Sequence, residues 1–272
     1  MKQFTARTFA EVYNMLVEAI LADGRTDETR FAHPLYDDCP TSELTLNLRN
    51  VMFEVKDPTQ CRLITPYKEC RKVSSKVGYI EGLMLHSYSN KVKYVPWYKD
   101  FSRDGIHSYS MYGQYIAPML LNIKNKLKNK HTRQCVFTIY NNTTNVWNKD
   151  VTDVPCTLLG IFDIVDDKLN LTIVMRSNDL YLGTPYNIQM FSFLQQTMAN
   201  TLKLELGSYT HIVHNMHIYY KNIVELKNSM KLSEFKSKSM KIDMNVNQAC
   251  LEAKKYMEFI DENRLWKDYQ TI

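Results

Sequence analysis

Between positions 153 and 219 the chain carries four short clusters of side chains that could do chemistry. Asp153-Val154-Pro155-Cys156-Thr157 places a thiol where a loop enters a strand, and a thiolate there is a potential nucleophile. Met175-Arg176-Ser177-Asn178-Asp179 is a dense polar set at a strand end, whose guanidinium could clamp an anion. Leu182-Gly183-Thr184-Pro185-Tyr186-Asn187-Ile188 is a Gly/Pro loop feeding an apolar helix, and the Asn187 amide offers both a donor and an acceptor. His217-Ile218-Tyr219 sets two polar rings on one face of a strand, because side chains alternate. Each cluster also has a plainer reading. A lone cysteine before a strand is usually a small buried hydrophobe, and Asn187 could simply cap its helix. Arg176 to Asp179 could be a strand-end turn with a surface ion pair, and His217 and Tyr219 could be satisfied core residues. It is their order and spacing together that favour one shared site.

The elements that must position these residues can be read from periodicity. Thr8-Phe9-Ala10-Glu11 is a capping box, and Phe9, Val12, Tyr13, Leu16 and Ile20 follow helical spacing up to Gly24. Residues 25–42 are polar, with two prolines, and read as loop. From Leu44 the period becomes two, and the phase slip between Leu48 and Val51 predicts a long strand with a bulge or turn there. Residues 68–87 and 114–128 read as helices, the second ending in a solvated lysine run. Val136 to Tyr140, Thr157 to Val165 and Leu169 to Met175 read as strands, with Asp166-Asp167 as a hairpin turn. An apolar helix through Ile188, Phe191, Leu194, Met198 and Leu202 ends near Gly207. Tyr209 to Tyr219 is a further strand, and residues 247–263 form a last helix. Strands and helices mix without a regular βαβ repeat, which predicts a single α+β domain over 1–272.

Composition narrows the class. A chain of 272 residues with 44% hydrophobic and 23% charged content can bury a substantial core. The net charge of +5 suits anionic small molecules but is too diffuse to require nucleic acid. Six cysteines lie at irregular spacings without a CxxC pair, which reads as a reduced, cytoplasmic protein. No apolar run is long enough to span a membrane. His211, His214 and His217 fall three apart, so on a strand His214 faces away from the other two and a shared metal is not expected. No Gly-rich phosphate loop supports a kinase or an NAD enzyme.

In combination, Pro155-Cys156, Arg176-Ser177-Asn178-Asp179, Leu182-Gly183-Thr184-Pro185-Tyr186-Asn187 and His217-Ile218-Tyr219 resemble the thymidylate synthase family. Glu81, Trp97, Tyr112-Gly113 and Arg133 fall in the family's order more weakly, and after Tyr219 no match is evident. The resemblance implies a mixed sheet flanked by helices and a sheet-to-sheet homodimer. It also implies one-carbon transfer from 5,10-methylenetetrahydrofolate to C5 of a pyrimidine deoxynucleoside monophosphate. Cys156 would attack C6, with Arg176 lowering its pKa and holding the phosphate. Ser177 would add a phosphate contact, and Arg133 would reach the phosphate from a partner subunit. Asn187 would read the base edge, and His217 and Tyr219 would bind the sugar. Asp179 would support the base or folate, Trp97 and Gly183 would line the folate site, and Glu81 would organise water and move protons.

Departures from the family pattern bear on the product. Thr157 and Met175 stand where thymidylate synthases commonly carry His and Gln. Cys-Thr and Met-Arg-Ser-Asn-Asp resemble the phage deoxynucleotide hydroxymethylases, as does the stretch ending Val55-Lys56-Asp57-Pro58. The N-terminal Arg-Thr-Gly phosphate loop is missing, with Cys39-Pro40-Thr41-Ser42-Glu43 in its place, and Gln134 stands where a second phosphate arginine is expected. Asn187 favours uracil, since cytosine-specific relatives carry Asp there. The expectation is therefore dUMP hydroxymethylation, with thymidylate synthesis second and dCMP hydroxymethylation third. A phage or virus that modifies its own DNA would be a natural setting. The non-enzyme alternative is an inactive nucleotide-binding homologue.

Overall fold

The computed structural model describes residues 1–31, 41–64, 73–102, 104–140, 153–232 and 235–270. Its centre is a seven-stranded mixed sheet. Strands β1 (Lys2–Ala6), β3 (Thr41–Val55), β8 (Glu205–Tyr219), β7 (Lys168–Asp179), β6 (Thr157–Val165) and β5 (Val136–Thr138) run in that order, and β2 (Arg25–Phe31) also pairs with β3. The β1–β3 and β7–β8 pairs are parallel and the others antiparallel. A small second sheet joins β4 (Arg62–Ile64) to β9 (Lys236–Lys238). The α+β class, with a mixed sheet and flanking helices, is as expected.

Helix α1 (Phe9–Asp23) starts at the predicted capping box, with Thr8 and Glu11 exchanging side-chain and backbone bonds. Helices α2 (Ser75–Met84), α3 (Gly113–Ile116), α4 (Leu120–Leu127), α5 (Thr184–Leu202), α6 (Tyr220–Leu232) and α7 (Val246–Asp261) complete the set. Fourteen residues of α5 are buried, which makes it the central helix of the core. Helix α2 lies close on it through Gly78 and Gly82, where an added Cβ would come within 2.7 Å of Gln189 and 2.5 Å of Phe193. None of the helices among the described residues is long and apolar enough to cross a membrane.

Several predicted boundaries change. Arg25–Phe31 is a strand, not loop. It is polar because it pairs only along the sheet's edge, so it lacks the alternation that marks a strand with a buried face. Residues 32–40, including Cys39, and residues 65–72, including Cys70, lie outside the described residues, so the predicted helix over 68–87 is seen only from Ser75. The helix predicted over 114–128 is broken by a short 3₁₀ turn at Ala117–Met119, where Pro118 cannot donate to the helical ladder. Helix α5 stops at Lys203, which adopts a left-handed φ of 57°, rather than at Gly207. Strand β1 and helix α6 have no counterpart in the sequence reading.

The phase slip in β3 extends across the sheet. Leu48 and Val51 are both buried although three apart, and Asn50 between them has φ 54°. Their cross-strand partners Met216 and Val213 repeat the pattern in β8, and Asn178 and Met175 repeat it in β7. The register itself stays constant, so this is a change of pleat shared by three strands rather than an extra residue. At that line Arg176 turns outwards and Ser177 follows it.

Candidate active site

Topology alone brings the four clusters to one end of the sheet. Cys156 directly precedes β6, whose Thr157 pairs with Met175 of β7. Because β7 and β8 are parallel, Asp179 lies beside His217 at their shared C-terminal end. Asn187 follows in the first turn of α5.

Cys156 is half-buried, and its backbone carbonyl accepts from the Arg176 N–H at 2.9 Å. The Arg176 guanidinium closes on the same loop, donating from Nε to the Pro155 carbonyl at 3.0 Å and from Nη2 to the Val154 carbonyl at 2.8 Å. The guanidinium thus holds the cysteine loop with two of its five donors, on an exposed side chain. Asp153, at the start of this loop, is buried and accepts from the Ser110 backbone at 3.1 Å and from the Ser108 and Ser110 hydroxyls. Burial pushes the Cys156 thiol above its ordinary value, and Asp153 and Asp179 add to the rise while Arg176 opposes it. The expected lowering by Arg176 is therefore present but outweighed, and the resting group is a thiol. Desolvation acts on the whole ionised form, whereas Arg176 faces the solvent on one side.

Ser177 Oγ lies 3.3 Å from His217 Nδ1, and the His217 ring stands edge-on to Tyr219 at 5.3 Å. The two rings therefore share a face, as alternation requires. Burial holds His217 below the ordinary histidine pKa against the pull of Asp179. The Asp179 carboxylate accepts from the backbone N–H groups of Tyr181 (2.7 Å) and Leu182 (2.8 Å), which fixes the turn into α5. Asn187 Oδ1 accepts from Asn178 Nδ2 at 2.8 Å.

Glu81 arrives from α2, which the close contact of Gly78 and Gly82 with α5 brings down onto the core. It is 7% exposed, and burial lifts its carboxyl from 4.5 to about 7, with hydrogen bonds from Trp97 and Tyr98 opposing the rise. The Trp97 Nε1–H donates to Glu81 at 2.7 Å, and Trp97 packs edge-on to Trp266 at 5.1 Å. A cavity beside Glu81 is lined by Tyr98, Tyr112, Met111 and Met190. Tyr98 donates to Glu81 and Tyr112 shares its cavity, and both rings lie near Cys156 and Asp153, so they stand between the carboxyl and the thiol. Tyr112 also accepts from the Thr157 backbone N–H at 3.3 Å.

Sequence reasoning missed Tyr98, which lies in a short 3₁₀ helix with no motif around it. It gave Asn178 no role and noted Tyr112 only for its order in the chain. Arg133 is exposed between α4 and β5, and no hydrogen bond or ion pair among the described residues ties it to this cluster. Gln134 is taken up by Lys126 at 2.9 Å. His211 stacks on Phe53 at 4.8 Å and His214 bonds to Asn50 at 3.0 Å, so the three histidines go to three different places.

Comparison with known proteins fits this geometry. A family model described as "Thymidylate synthase" matches residues 11–264. The deoxyuridylate hydroxymethyltransferase of Bacillus phage SP01 is 30% identical over an alignment of 201 residues that covers 66% of this chain and about half (52%) of that protein. The thymidylate synthase of Bacillus subtilis subsp. natto is 26% identical over 259 residues, covering 88% of this chain and 89% of that one. Among solved structures, thermostable thymidylate synthase A from Bacillus subtilis has a TM-score of 0.67 at 22% identity and covers 85% of this chain and 86% of its own. Because the family model covers residues 11–264, nearly the whole length, and the fold agrees, the chain belongs to the thymidylate synthase family.

Proposed function

We propose that the protein transfers a one-carbon unit to C5 of dUMP, with 5-hydroxymethyl-dUMP as the product. The observation that carries the covalent part is the cysteine loop: Cys156 at a strand entry, with the Arg176 guanidinium bonded to the two carbonyls that precede it. The arginine's remaining donors suit a phosphate, with Ser177 next to it, and His217 and Tyr219 suit the sugar. The Cys156 thiol gives its proton to solvent, its sulfur forms a bond to C6, and the C5–C6 π electrons move to C5. Asn187 reads the base edge. Methylenetetrahydrofolate, when bound, supplies the one-carbon unit. Trp97, which donates to Glu81, and Gly183 are assigned to the folate, with Asp179 supporting the turn that holds Gly183. With its pKa near neutrality, Glu81 can hold or release a proton at working pH.

Two features support water rather than hydride as the final addition. Thr157 and Met175 are both buried at positions where thymidylate synthases commonly carry His and Gln. The Thr157 hydroxyl has no hydrogen-bond partner among the described residues. The relative from phage SP01 carries the hydroxymethyltransferase name, which favours the same branch. Thymidylate synthesis is the second reading, supported by the longer match to the Bacillus subtilis enzyme. A homodimer in which Arg133 completes the phosphate site of its neighbour is part of the proposal. It accounts for an arginine that stands exposed and apart from its own site. Mass spectrometry of the nucleotide formed from dUMP and methylenetetrahydrofolate decides the matter. A product heavier than dTMP by one oxygen is expected, and dTMP itself would transfer the assignment to thymidylate synthesis. If no tritium leaves [5-³H]dUMP although dUMP binds, the chain is a nucleotide-binding homologue.

A further inference from the structure

We propose that Asn178, which would not touch the substrate, sets which end of the Asn187 amide faces the base. It would thereby decide between a pyrimidine with a carbonyl at C4 and one with an amine. The inference rests on Asn187 reading the base, as proposed above.

Asn178 is 4% exposed and lies between two partners. Its Nδ2 donates to Asn187 Oδ1 at 2.8 Å, and its Oδ1 accepts from the hydroxyl of the fully buried Thr184 at 2.7 Å. Gly183 leaves the room for this meeting: a Cβ there would come within 3.2 Å of Asn178 Nδ2 and 3.4 Å of Asn187 Oδ1. With its oxygen turned to Asn178, Asn187 keeps its amine and one oxygen lone pair for a ligand. That pair of groups is complementary to uracil, which presents an acceptor at O4 and a donor at N3. Cytosine presents a donor at N4 and an acceptor at N3, so the Asn187 amide would have to reverse. Its amine would then face the amine of Asn178, donor against donor.

The clash can be relieved only by a concerted change. Asn178 must turn over as well, and its amine then meets Thr184, whose one proton has to leave Asn178. A second acceptor is at hand, because the Asp179 carbonyl lies 3.0 Å from the Thr184 oxygen. The relay therefore has two self-consistent proton orders, and the longer contact makes the cytosine order the weaker one. Asn178→Asp removes the choice. A carboxylate only accepts, so Thr184 donates to one oxygen and Asn187 must offer its amine to the other, which is the cytosine order.

The test measures dissociation constants of dUMP and dCMP for the full-length protein, a readout that does not depend on turnover. Wild type binds dUMP more tightly. Asn178→Asp should lower the dUMP-over-dCMP preference by about tenfold or more, the scale of one hydrogen bond to a buried partner. Thr184→Val should lower it several-fold while Thr184→Ser leaves it unchanged, and this pair carries the test if Asn178→Asp does not fold. Simple structural damage would weaken both nucleotides alike and leave the ratio intact. If the ratio stays within about twofold of wild type in both variants while Asn187→Asp shifts it, the relay is wrong and base reading by Asn187 stands. If wild type binds neither nucleotide, or Asn187→Asp leaves the ratio unchanged, base reading fails and the relay fails with it.

Discussion

Glu81→Gln should make the protein more stable and nearly inactive, with a gain that depends on pH. The folded carboxyl titrates near 7 while an exposed one titrates at 4.5, so between those values the native state holds a proton that the unfolded chain has lost. Stability therefore falls as pH rises through that window. At about 1.4 kcal/mol per pH unit, ionised Glu81 costs the fold about 3 kcal/mol by pH 8. Glutamine does not ionise, its oxygen can still accept from the Trp97 indole, and its amine can meet the Tyr98 hydroxyl. The variant should match wild type to within about 1 kcal/mol at pH 4.5 and lead by about 3 kcal/mol at pH 8, or about 6 °C in melting temperature for a chain of this size. Urea titrations at both pH values measure the gap, and all other titrating groups cancel in the comparison. Turnover should fall by about 10²- to 10⁴-fold through loss of the proton carrier. A gap equal at the two pH values would refute the reasoning, because it would mean that Glu81 carries no burial strain.

Three further outcomes are expected. Cys156→Ala should abolish turnover while dUMP still binds within a few-fold of wild type, as isothermal titration would show; residual turnover above background would exclude the covalent route. Alkylation of Cys156 by iodoacetamide should accelerate with pH beyond 9, since burial holds the thiol above that value. Arg176→Ala should move the profile higher still by removing the opposing charge, and a shift to lower pH would contradict the clamp. Gly82→Ala, with a Cβ 2.5 Å from Phe193, should lower stability by about 1–3 kcal/mol and pull Glu81 away from Trp97, a change visible as altered tryptophan fluorescence.

Much of this fold can be read from local chemistry. The Thr8–Glu11 capping box begins a helix, Asp166-Asp167 takes the left-handed φ values of a tight hairpin (50° and 58°), and β6 has its predicted ends. Strand β2 escaped because its sequence, Arg25–Phe31, is polar but for Phe31 and lacks the apolar rhythm that burial imposes. Helix α6 (Tyr220–Leu232), in contrast, did carry a signal, with Ile223 and Leu226 at helical spacing and buried. Pro118 did announce the break after α3, so that signal was present in the chain. At the candidate site, the order of motifs shows which residues meet, but it does not show the balance of forces among them. Nothing in Pro155-Cys156 tells that desolvation outweighs Arg176. Tyr98 reaches Glu81 from a separate element, and Asn178 meets Thr184 and Asn187 across the turn into α5; no pattern of residue types announces those contacts.

The guanidinium that grips the Val154 and Pro155 carbonyls has a consequence for selectivity. A ligand that engages Arg176 also steadies the segment bearing the sulfur, so the two events are thermodynamically linked. Removing the phosphate from the substrate should then cost reactivity as well as affinity. A nucleoside forced into the cleft at saturating concentration would find its attacking atom poorly aimed, and the protein would discriminate against it twice.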